Sequence, residues 1–409
     1  MVIRMKILFV AETSSIHAAR WINQLSDRSW DIHVAQGTFP FTGINSEYHT
    51  GIFHCPCQIH KPMSFFGSLL QKTCRSVSTI VARIPVCNDF TQAKIHAKLI
   101  DRIHPDIIHS LGLNVNWKNN CKVTYNARMM LGKKFTAPWV YSTWGTDLDY
   151  CLKQSQENRR DILKILPSVD YLITECQRDE RLAYASGFNG ECMGHLPAYG
   201  GISLEEYTQF RQPGKSSIRK IIFLKGRDNT GGGDPIGRAM TAMNAFELCE
   251  KDLEGYTIVI NQASPSIIKK ANNLRDTTSL KIQILQYLPY NQILKILGSS
   301  KIFIALTIND GLPSTLVESM ALGAFPIHSD LEPIREWITH DQNGLLISPT
   351  NPEECADSII NAIHRDDLVN SASDINQQII KEKLSVDVVK KKTLEIYETI
   401  LKNGPIIRK

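Results

Sequence analysis

The chain has 409 residues, 43% of them hydrophobic, and a formal net charge of +5. This length predicts two domains of ordinary size with real cores. The positive charge is weaker than most nucleic-acid binders carry, so we expect no nucleic-acid partner, but it is compatible with an anionic substrate or membrane surface. No apolar run reaches the roughly 18 residues that span a bilayer.

The N-terminus runs from Met1 directly into the strand-like segment Ile7–Ala11. That segment is too short for a signal-peptide core and lacks a cleavage region, so we expect a cytoplasmic protein. The region His60–His104 mixes apolar pairs with basic residues, as a basic amphipathic helix does. Such a helix can lie at the inner face of an anionic cytoplasmic membrane. An ordinary surface helix or lid is the alternative.

Strand-like segments alternate with helical patterns along the whole chain, which predicts parallel sheets with right-handed crossovers. The fold class is therefore α/β, with two Rossmann-like, doubly wound domains that face each other across a cleft. Ligands in such sheets bind beyond the carboxyl ends of the strands. The predicted strands are Lys6–Ala11, Asp31–Ala35, Asp106–Ser110, Trp139–Thr143, Asp170–Thr174, Lys220–Lys225, Tyr256–Asn261, Lys281–Leu285, Lys301–Leu306, Ala324–His328 and Gly344–Ser348.

A polar stretch rich in Gly and Pro, Pro197–Lys215, separates the two halves. We predict an N-terminal domain over residues 1–205 and a C-terminal domain over residues 206–385. The final segment, 386–409, is predicted as a C-terminal helix, and we consider that it returns to the N-terminal domain.

The most informative segment is Asn309–Gly323, which follows the apolar strand Lys301–Leu306. It indicates a strand end, a tight Gly-Pro turn and a helix start with Ser314 as the N-cap. The N-terminus of a helix offers N–H groups and a positive dipole end, which suit a phosphate. Carboxylates at Asp310 and Glu318 would hold hydroxyls on either side of it. A ligand with hydroxyls flanking a diphosphate is a nucleotide sugar.

Asp310, Gly311, Pro313 and Glu318 resemble the acidic signature of retaining glycosyltransferases with the GT-B fold, particularly the family 4 or group 1 enzymes. That signature has two acids separated by seven residues, usually with Gly after the first and Pro two residues later. Asp310 stands where Glu is commonest and keeps the carboxylate. The flanking segment, residues 321–347, also looks like this family.

The resemblance implies a role for each residue of this segment. Glu318 would hydrogen-bond the nucleotide ribose, and Asp310 would contact the donor sugar. The alternative for Glu318 is a first-turn helix acid favoured by the dipole. The residues expected to line the sugar and diphosphate are Gly311, Leu312, Pro313, Ser314 and Thr315.

The pair Gly226-Arg227 resembles a second landmark of the family, in which the arginine grips phosphate through charge-assisted hydrogen bonds. The family lysine that follows is absent, and three glycines, including Gly232 and Gly233, occupy its place. Such glycines can expose N–H groups as an anion nest. Lys225 and Arg238 are alternative sources of the missing charge.

Tyr287 and Leu288 resemble the segment that stacks on the donor base, with core packing as the alternative. Asp310, Glu318 and Arg227 are thus the expected catalytic residues, within a donor site that also includes Gly226.

The acceptor is expected at the first half, where Ser15 and His17 follow the first strand and Trp144 and Asp147 follow Trp139–Thr143. Trp144 stands where the family often has His, so no histidine general base is assigned. The alternative for Asp147 is a turn-stabilising role. The alternative for His17 is a structural histidine whose hydrogen bonds are made within a loop or helix.

The expected function is retaining transfer of a hexosyl group from a nucleoside-diphosphate sugar to a hydroxyl of a glycan or lipid-linked acceptor. By resemblance, the pathway is cell-surface polysaccharide biosynthesis, such as lipopolysaccharide or capsule, without a cofactor or metal ion. Asp147-Leu148-Asp149 spells a metal motif of another glycosyltransferase fold, but so short a match is common by chance. The rival functions are a nucleotide-sugar epimerase or hydrolase of the same shape and a non-catalytic scaffold, which the missing lysine suggests.

Overall fold

The structure is a computed structural model that describes residues 5–37, 44–54, 60–62, 89–112, 120–230, 235–285 and 288–406. The chain forms two compact units. The first consists of Met1–Gly201 with Val389–Lys409, and the second of Ile202–Val388. The predicted boundaries, after residues 205 and 385, lie a few residues from those of the units.

The first unit is built on an eight-stranded sheet with the strand order β4-β3-β2-β1-β5-β6-β7-β8. All neighbours are parallel except β3 and β4. The strands are β1 (Lys6–Ala11), β2 (Asp31–Gln36), β3 (Ile52–His54), β4 (His60–Pro62), β5 (Ile107–Leu111), β6 (Trp139–Ser142), β7 (Tyr171–Thr174) and β8 (Glu191–His195).

Helices cover both faces of this sheet, so its central strands are apolar on both sides. Ile7 and Phe9 of β1 join one hydrophobic cluster, and Leu8 and Val10 join another. The helices of this unit that precede the second unit are α1 (Ile16–Asn23), α2 (Asp89–Ile103), α3 (Asn120–Leu131), α4 (Asp149–Gln154), α5 (Gln156–Ile165) and α6 (Gln177–Ala185).

The second unit has a six-stranded parallel sheet with the order β11-β10-β9-β12-β13-β14. Its strands are β9 (Ile221–Lys225), β10 (Thr257–Asn261), β11 (Lys281–Ile284), β12 (Ser300–Ala305), β13 (Phe325–Ser329) and β14 (Leu345–Ile347). Its helices are α7 (Leu204–Thr208), α8 (Ala239–Leu248), α9 (Pro265–Thr277), α10 (Tyr290–Gly298), α11 (Ser314–Leu322), α12 (Glu332–Arg335), α13 (Pro352–His364) and α14 (Asp366–Ile379).

The last helix, α15 (Val386–Asn403), packs onto the first unit through a buried polar network. The Tyr397 hydroxyl accepts a hydrogen bond from Trp21 Nε1 at 3.0 Å and lies 2.7 Å from His109 Nδ1. His109 Nε2 in turn lies 2.8 Å from Ser142 Oγ. Because His109 is fully buried, desolvation lowers its pKa to about 3. The imidazole is therefore neutral and links α15 to β5 and β6.

The predicted fold class is confirmed, since two parallel sheets flanked by helices are present. Each predicted strand corresponds to an observed one, within one or two residues at each end. The sequence missed β3, β4 and β8. All three lie toward the edges of the first sheet.

Both sheets reverse their winding beside the first strand of the unit. The chain adds β2 and β3 on one side of β1 and then returns to place β5 on the other side. In the second unit it adds β10 and β11 on one side of β9 and then places β12 on the other. Ligands of doubly wound sheets bind outside the carboxyl ends of the strands at such a switch point.

Of the basic region His60–His104, residues 63–88 lie outside the described part. The rest includes α2, whose apolar face packs into the core of the first unit, with Ala93, Ala97 and Ile100 buried. Lys94 and Lys98 are exposed on the opposite face. This is the pattern of an ordinary surface helix. Within the described ranges, no helix combines the length and apolarity that a membrane crossing requires.

Candidate functional site

The acidic segment forms the loop between β12 and α11, at the switch point of the second sheet. Neighbouring strand ends hold this loop in place. Thr307 N donates to Ser329 Oγ at 2.7 Å, and Thr307 Oγ1 lies 3.1 Å from Ile236 O and 2.9 Å from Asn309 O. The loop therefore starts from a fixed point at the carboxyl ends of β12 and β13.

The prediction that Ser314 caps α11 is wrong by one residue. The N-cap is Pro313, with φ −63° and ψ 126°, and Ser314 is the first helical residue. Proline has no side-chain acceptor, so no side chain of the cap residue bonds to the first turn. Main-chain N–H groups at the start of a helix have no intrahelical partner and suit an anion. Ser314 and Thr315 carry two of these groups.

Asp310 is half-buried just before that helix, and its Oδ1 accepts a hydrogen bond from Gly311 N at 3.0 Å. It also interacts electrostatically with His328 of β13. Burial lowers the pKa of His328 to about 4, while the Asp310 charge raises it and the Lys225 charge lowers it. The negative charge of Asp310 and the positive charge of Lys225, at the ends of adjacent strands, thus act on the imidazole of His328, which is neutral near pH 7.

Glu318 is 6% exposed and lies in the second turn of α11. This position excludes the alternative that it is a first-turn acid. Its Oε1 accepts a hydrogen bond of 2.5 Å from the hydroxyl of Tyr290, the first residue of α10. The Tyr290 hydroxyl also lies 2.7 Å from that of Tyr207 in α7. Neither tyrosine was predicted from the sequence to belong to the site.

Gly226 and Arg227 follow β9, the strand beside β12. A Cβ atom on Gly226 would lie 2.6 Å from Ile260 Cγ2 and 2.9 Å from Ala263 Cα, so a side chain does not fit there. Arg227 is exposed, and its Nε donates to Gln262 Oε1 at 2.9 Å. The guanidinium therefore lies at the same switch point as the loop after β12.

A buried aspartate that the sequence analysis missed holds the loop after β9. Asp228 Oδ1 accepts a hydrogen bond from Met240 N at 3.0 Å, near the start of α8, and Oδ2 accepts one from Thr230 N at 3.0 Å. Asp228 N donates to Ser264 Oγ at 3.0 Å. An Asp in the polar loop that follows a predicted strand is a weak sequence signal for such an anchor.

The other predicted donor residues have different outcomes. Gly232, Gly233 and Tyr287 lie outside the described residues, so their roles stay predictions. Leu288 is half-buried just before α10. Arg238 Nη1 donates to Gly237 O at 2.6 Å and to Pro235 O at 3.2 Å, so its guanidinium folds onto its own loop.

In the first unit, His17 lies between two aromatic rings at the carboxyl edge of the sheet. Its ring centroid is 6.2 Å from that of Trp144 and 6.1 Å from that of Tyr199, which the sequence analysis missed. Ser15 is the N-cap of α1 and accepts a hydrogen bond from Ala18 N at 3.4 Å. The structure thus brings His17 and Trp144 together and gives Ser15 a capping role.

Asp147 is 2% exposed, and its Oδ2 accepts hydrogen bonds from Tyr141 Oη at 3.0 Å and Trp144 N at 2.8 Å. This is the turn-stabilising arrangement considered as the alternative. The buried Glu175 plays a similar part, since it accepts from Gly145 N at 2.6 Å and Ala198 N at 3.3 Å. A role of Asp147 in acceptor binding stays a prediction.

Within the described part of the chain, no three His, Cys, Asp or Glu residues are arranged to hold a metal ion.

Comparison with known proteins identifies part of the chain. Residues 268–381 match the family model described as glycosyl transferases group 1, so this stretch is a glycosyltransferase group 1 domain. It covers less than a third of the chain and includes the loop after β12 and α11. No curated protein matches the sequence.

Solved structures resemble nearly the whole chain. The α,α-trehalose-phosphate synthase (UDP-forming) from Burkholderia vietnamiensis aligns with a TM-score of 0.69 at 12% identity, covering 98% of this chain and 99% of that chain. Sucrose-phosphate synthase from Thermosynechococcus elongatus aligns with a TM-score of 0.66 at 10% identity, covering 98% of this chain and 100% of that chain. Anabaena HepE in complex with UDP-glucose aligns with a TM-score of 0.63 at 13% identity, covering 97% of this chain and 100% of that chain. Identities this low show the fold alone, which is the GT-B fold.

Proposed function

We propose that this protein is a retaining glycosyltransferase of the family 4 type. It moves a hexosyl group from a nucleoside-diphosphate sugar to a hydroxyl of a glycan or lipid-linked acceptor. The observation that carries this proposal is the meeting of three features at the switch point of the second sheet. They are the exposed cation Arg227 after β9, the acid Asp310 after β12, and the start of α11, which carries Glu318.

These groups suit the parts of a nucleotide sugar. The N–H groups of Ser314 and Thr315 and the guanidinium of Arg227 would bind the diphosphate. As the glycosidic bond breaks, negative charge grows on that leaving group, and the same groups stabilise it without a divalent ion. Glu318 would accept hydrogen bonds from ribose hydroxyls, and Asp310 would accept them from the sugar. HepE in complex with UDP-glucose supports this class of donor by analogy of fold.

The acceptor is proposed to bind at the first unit, through the loops after β1 and β6. The rings of His17 and Trp144 and the side chains of Ser15 and Asp147 are the candidate contacts. By resemblance to the family, we propose a growing surface glycan such as lipopolysaccharide or capsule. Peripheral contact with an anionic membrane through the basic region His60–His104 belongs to the same proposal.

A donor screen tests the function directly. Thermal shift of the purified protein against UDP, GDP, ADP and CDP identifies the nucleotide, and its sugar derivatives identify the donor. We expect one nucleotide diphosphate to stabilise the protein by the linkage between binding and folding. Calorimetric titration then gives the Kd of that nucleotide for Arg227→Ala and for the control Arg365→Ala. Arg365 is an exposed arginine of the same unit, paired with Asp341 at 2.6 Å.

We expect Arg227→Ala to weaken nucleotide binding by about 10- to 100-fold, because a charge-assisted contact to phosphate is lost. Arg365→Ala should bind like the wild type. Equal binding by all three proteins would remove the phosphate site from this edge. Consumption of the sugar donor with no acceptor present would indicate an epimerase or hydrolase instead. Product anomers, read by NMR, test retention, and turnover after chelation tests independence from metal ions.

A further inference from the structure

Glu318, the residue proposed to bind the ribose, is itself held by a tyrosine, Tyr290. The Tyr290 hydroxyl donates to Glu318 Oε1 at 2.5 Å and lies 2.7 Å from the hydroxyl of Tyr207. The three residues come from three different helices, α10, α11 and α7. Both tyrosine-bearing helices pack against the helix that carries Glu318. The chain of hydroxyls is therefore fixed by tertiary packing.

The hydroxyls of Tyr207 and Tyr290 and the Glu318 carboxylate form a hydrogen-bonded relay, and its three side chains differ in burial. Tyr207 is 8% exposed, Tyr290 is 37% exposed and Glu318 is 6% exposed. The outer, partly solvated tyrosine thus bonds inward to a buried carboxylate on one side and to a buried hydroxyl on the other. Since the Tyr290 hydroxyl has one proton and donates it to Glu318, Tyr207 must donate to Tyr290. The order of donation is Tyr207 to Tyr290 to Glu318.

We propose that Tyr290 and Tyr207 are positioning residues for nucleotide binding, because they hold the Glu318 carboxylate in the orientation that receives the ribose hydroxyls. This inference rests on the proposed function and deepens it. An ionised carboxylate accepts several hydrogen bonds, and the bond from Tyr290 fixes the orientation of Oε1. A glutamate that is ordered before the ligand arrives loses less conformational entropy on binding than a mobile one. The tyrosines act through Glu318 and need no contact with the ligand.

The positioning role makes a prediction that a general loss of structure would not mimic. The nucleotide diphosphate identified in the donor screen and its 2′-deoxy and 3′-deoxy forms are titrated calorimetrically against each protein. The ratio of the ribo to the deoxy affinity isolates the contribution of the ribose contact, since the diphosphate contact is common to all forms. We expect the wild type to prefer the ribo form by about tenfold or more for at least one hydroxyl.

Tyr290→Phe should reduce that preference by about three- to tenfold, by weakening the ribo form and leaving the deoxy forms nearly unchanged. Tyr207→Phe should act in the same direction but less, since it is one bond further from the carboxylate. Tyr184→Phe is the matched control, because Tyr184 is 45% exposed in the first unit. It should keep the full preference.

Several outcomes would overturn the positioning role. They are an unchanged preference in both Tyr290→Phe and Tyr207→Phe, an equal loss for ribo and deoxy forms, and tighter binding of the ribo form by Tyr290→Phe. If Tyr290→Phe does not fold, Tyr207→Phe alone decides in the same way.

Glu318→Gln separates this inference from the proposed function. If Glu318→Gln keeps the wild-type preference, Glu318 does not bind ribose and the donor assignment itself fails. If Glu318→Gln loses the preference while both tyrosine variants keep it, the donor assignment stands and only the relay is refuted.

Discussion

The carboxyl edges of the two sheets carry similar kinds of residue but use them differently. In the second unit, Arg227 is exposed and the helix after Pro313 begins without a side-chain cap. In the first unit, the corresponding polar groups bond to main-chain N–H groups of the loops and helix starts at the same edge of the sheet. Ser15 caps α1, Asp147 accepts from Trp144 N, and Glu175 accepts from Gly145 N.

An acid at the end of a parallel strand can therefore have one of two uses. A carboxylate that accepts hydrogen bonds from main-chain N–H groups of a tight turn already has a structural use, and its removal acts on stability. Glu318, by contrast, is held by the side-chain hydroxyl of Tyr290, and we expect its removal to act on donor binding. Asp147 and Glu318 therefore predict opposite phenotypes for similar substitutions. Asp228 of the second unit, which accepts from Met240 N and Thr230 N, resembles Asp147 in this respect.

The largest expected effect is the loss of transfer in Glu318→Ala. We expect kcat/KM for the donor to fall by about 100-fold or more, since a hydrogen-bond acceptor buried in the donor site is removed. The melting temperature should change little. The control is Glu254→Ala, an exposed glutamate of the same unit, which should keep full activity. Near wild-type transfer by Glu318→Ala would end the contrast between the two units.

The opposite phenotype is expected for Asp147→Ala in the first unit. The substitution leaves the Tyr141 hydroxyl and Trp144 N without their acceptor, in a site that is 2% exposed at Asp147. We expect the free energy of unfolding to fall by about 2–4 kcal/mol. Chemical denaturation followed by tryptophan fluorescence measures it, because all the tryptophans except Trp337 lie in the first unit.

Asp149→Ala is the control for Asp147→Ala, since its side chain is 18% exposed and its carboxylate pairs with the exposed Lys153 at 2.5 Å. Asp149→Ala should lower the free energy of unfolding by less than about 1 kcal/mol. Wild-type stability in Asp147→Ala, combined with a raised KM for the acceptor, would mean that the first unit uses its acid as the second unit does.

The sheets could be predicted from the sequence because their central strands are buried on both faces and therefore consist of apolar runs. β12, for example, is buried throughout. The missed strands lack that signal. β8 reads Glu-Cys-Met-Gly-His and is partly exposed, and β3 has three residues with only Phe53 buried. Edge strands have water on one side, so their composition resembles that of loops.

The candidate site was predictable only where its residues are neighbours in the chain. Asp310 to Glu318 form one loop and one helix start, so their pattern is visible in the sequence. The Tyr290 contact with Glu318 depends on how α10 packs against α11. Asp228 likewise acts through Met240 and Ser264, which the fold brings to it. Local patterns do not encode such contacts.

A smaller loss of folding stability, shared by both units, is expected at acid pH. Burial lowers the pKa of His109 in the first unit to about 3 and that of His328 in the second to about 4. The unfolded chain, with a histidine pKa near 6.5, therefore binds more protons between those values and pH 6.5. The stability that each histidine contributes is full well above pH 6.5 and falls as the pH drops through that value, by about 1.4 kcal/mol per histidine between pH 7.5 and 5.5.

His109→Gln tests this in the first unit. Glutamine can donate and accept hydrogen bonds but does not titrate. The unfolding free energy of the variant should therefore have a smaller slope against pH between pH 6.5 and 4, because unfolding takes up about one proton fewer. Fluorescence-detected denaturation at several pH values gives the slope for both proteins. The same slope in both would show that His109 is not the neutral link that holds α15 to the first sheet.

The smallest expected effect separates capping from acceptor binding at Ser15. Ser15→Ala removes the N-cap of α1 and should cost about 1 kcal/mol. Ser155→Ala is the matched control, because Ser155 caps α5 and accepts from Asn158 N at 3.1 Å in the same unit. If Ser15 serves only as a cap, both variants lose similar stability and keep the wild-type KM for the acceptor. A raised acceptor KM in Ser15→Ala alone assigns Ser15 a second use, and the polar groups of the first unit are then divided between structure and ligand.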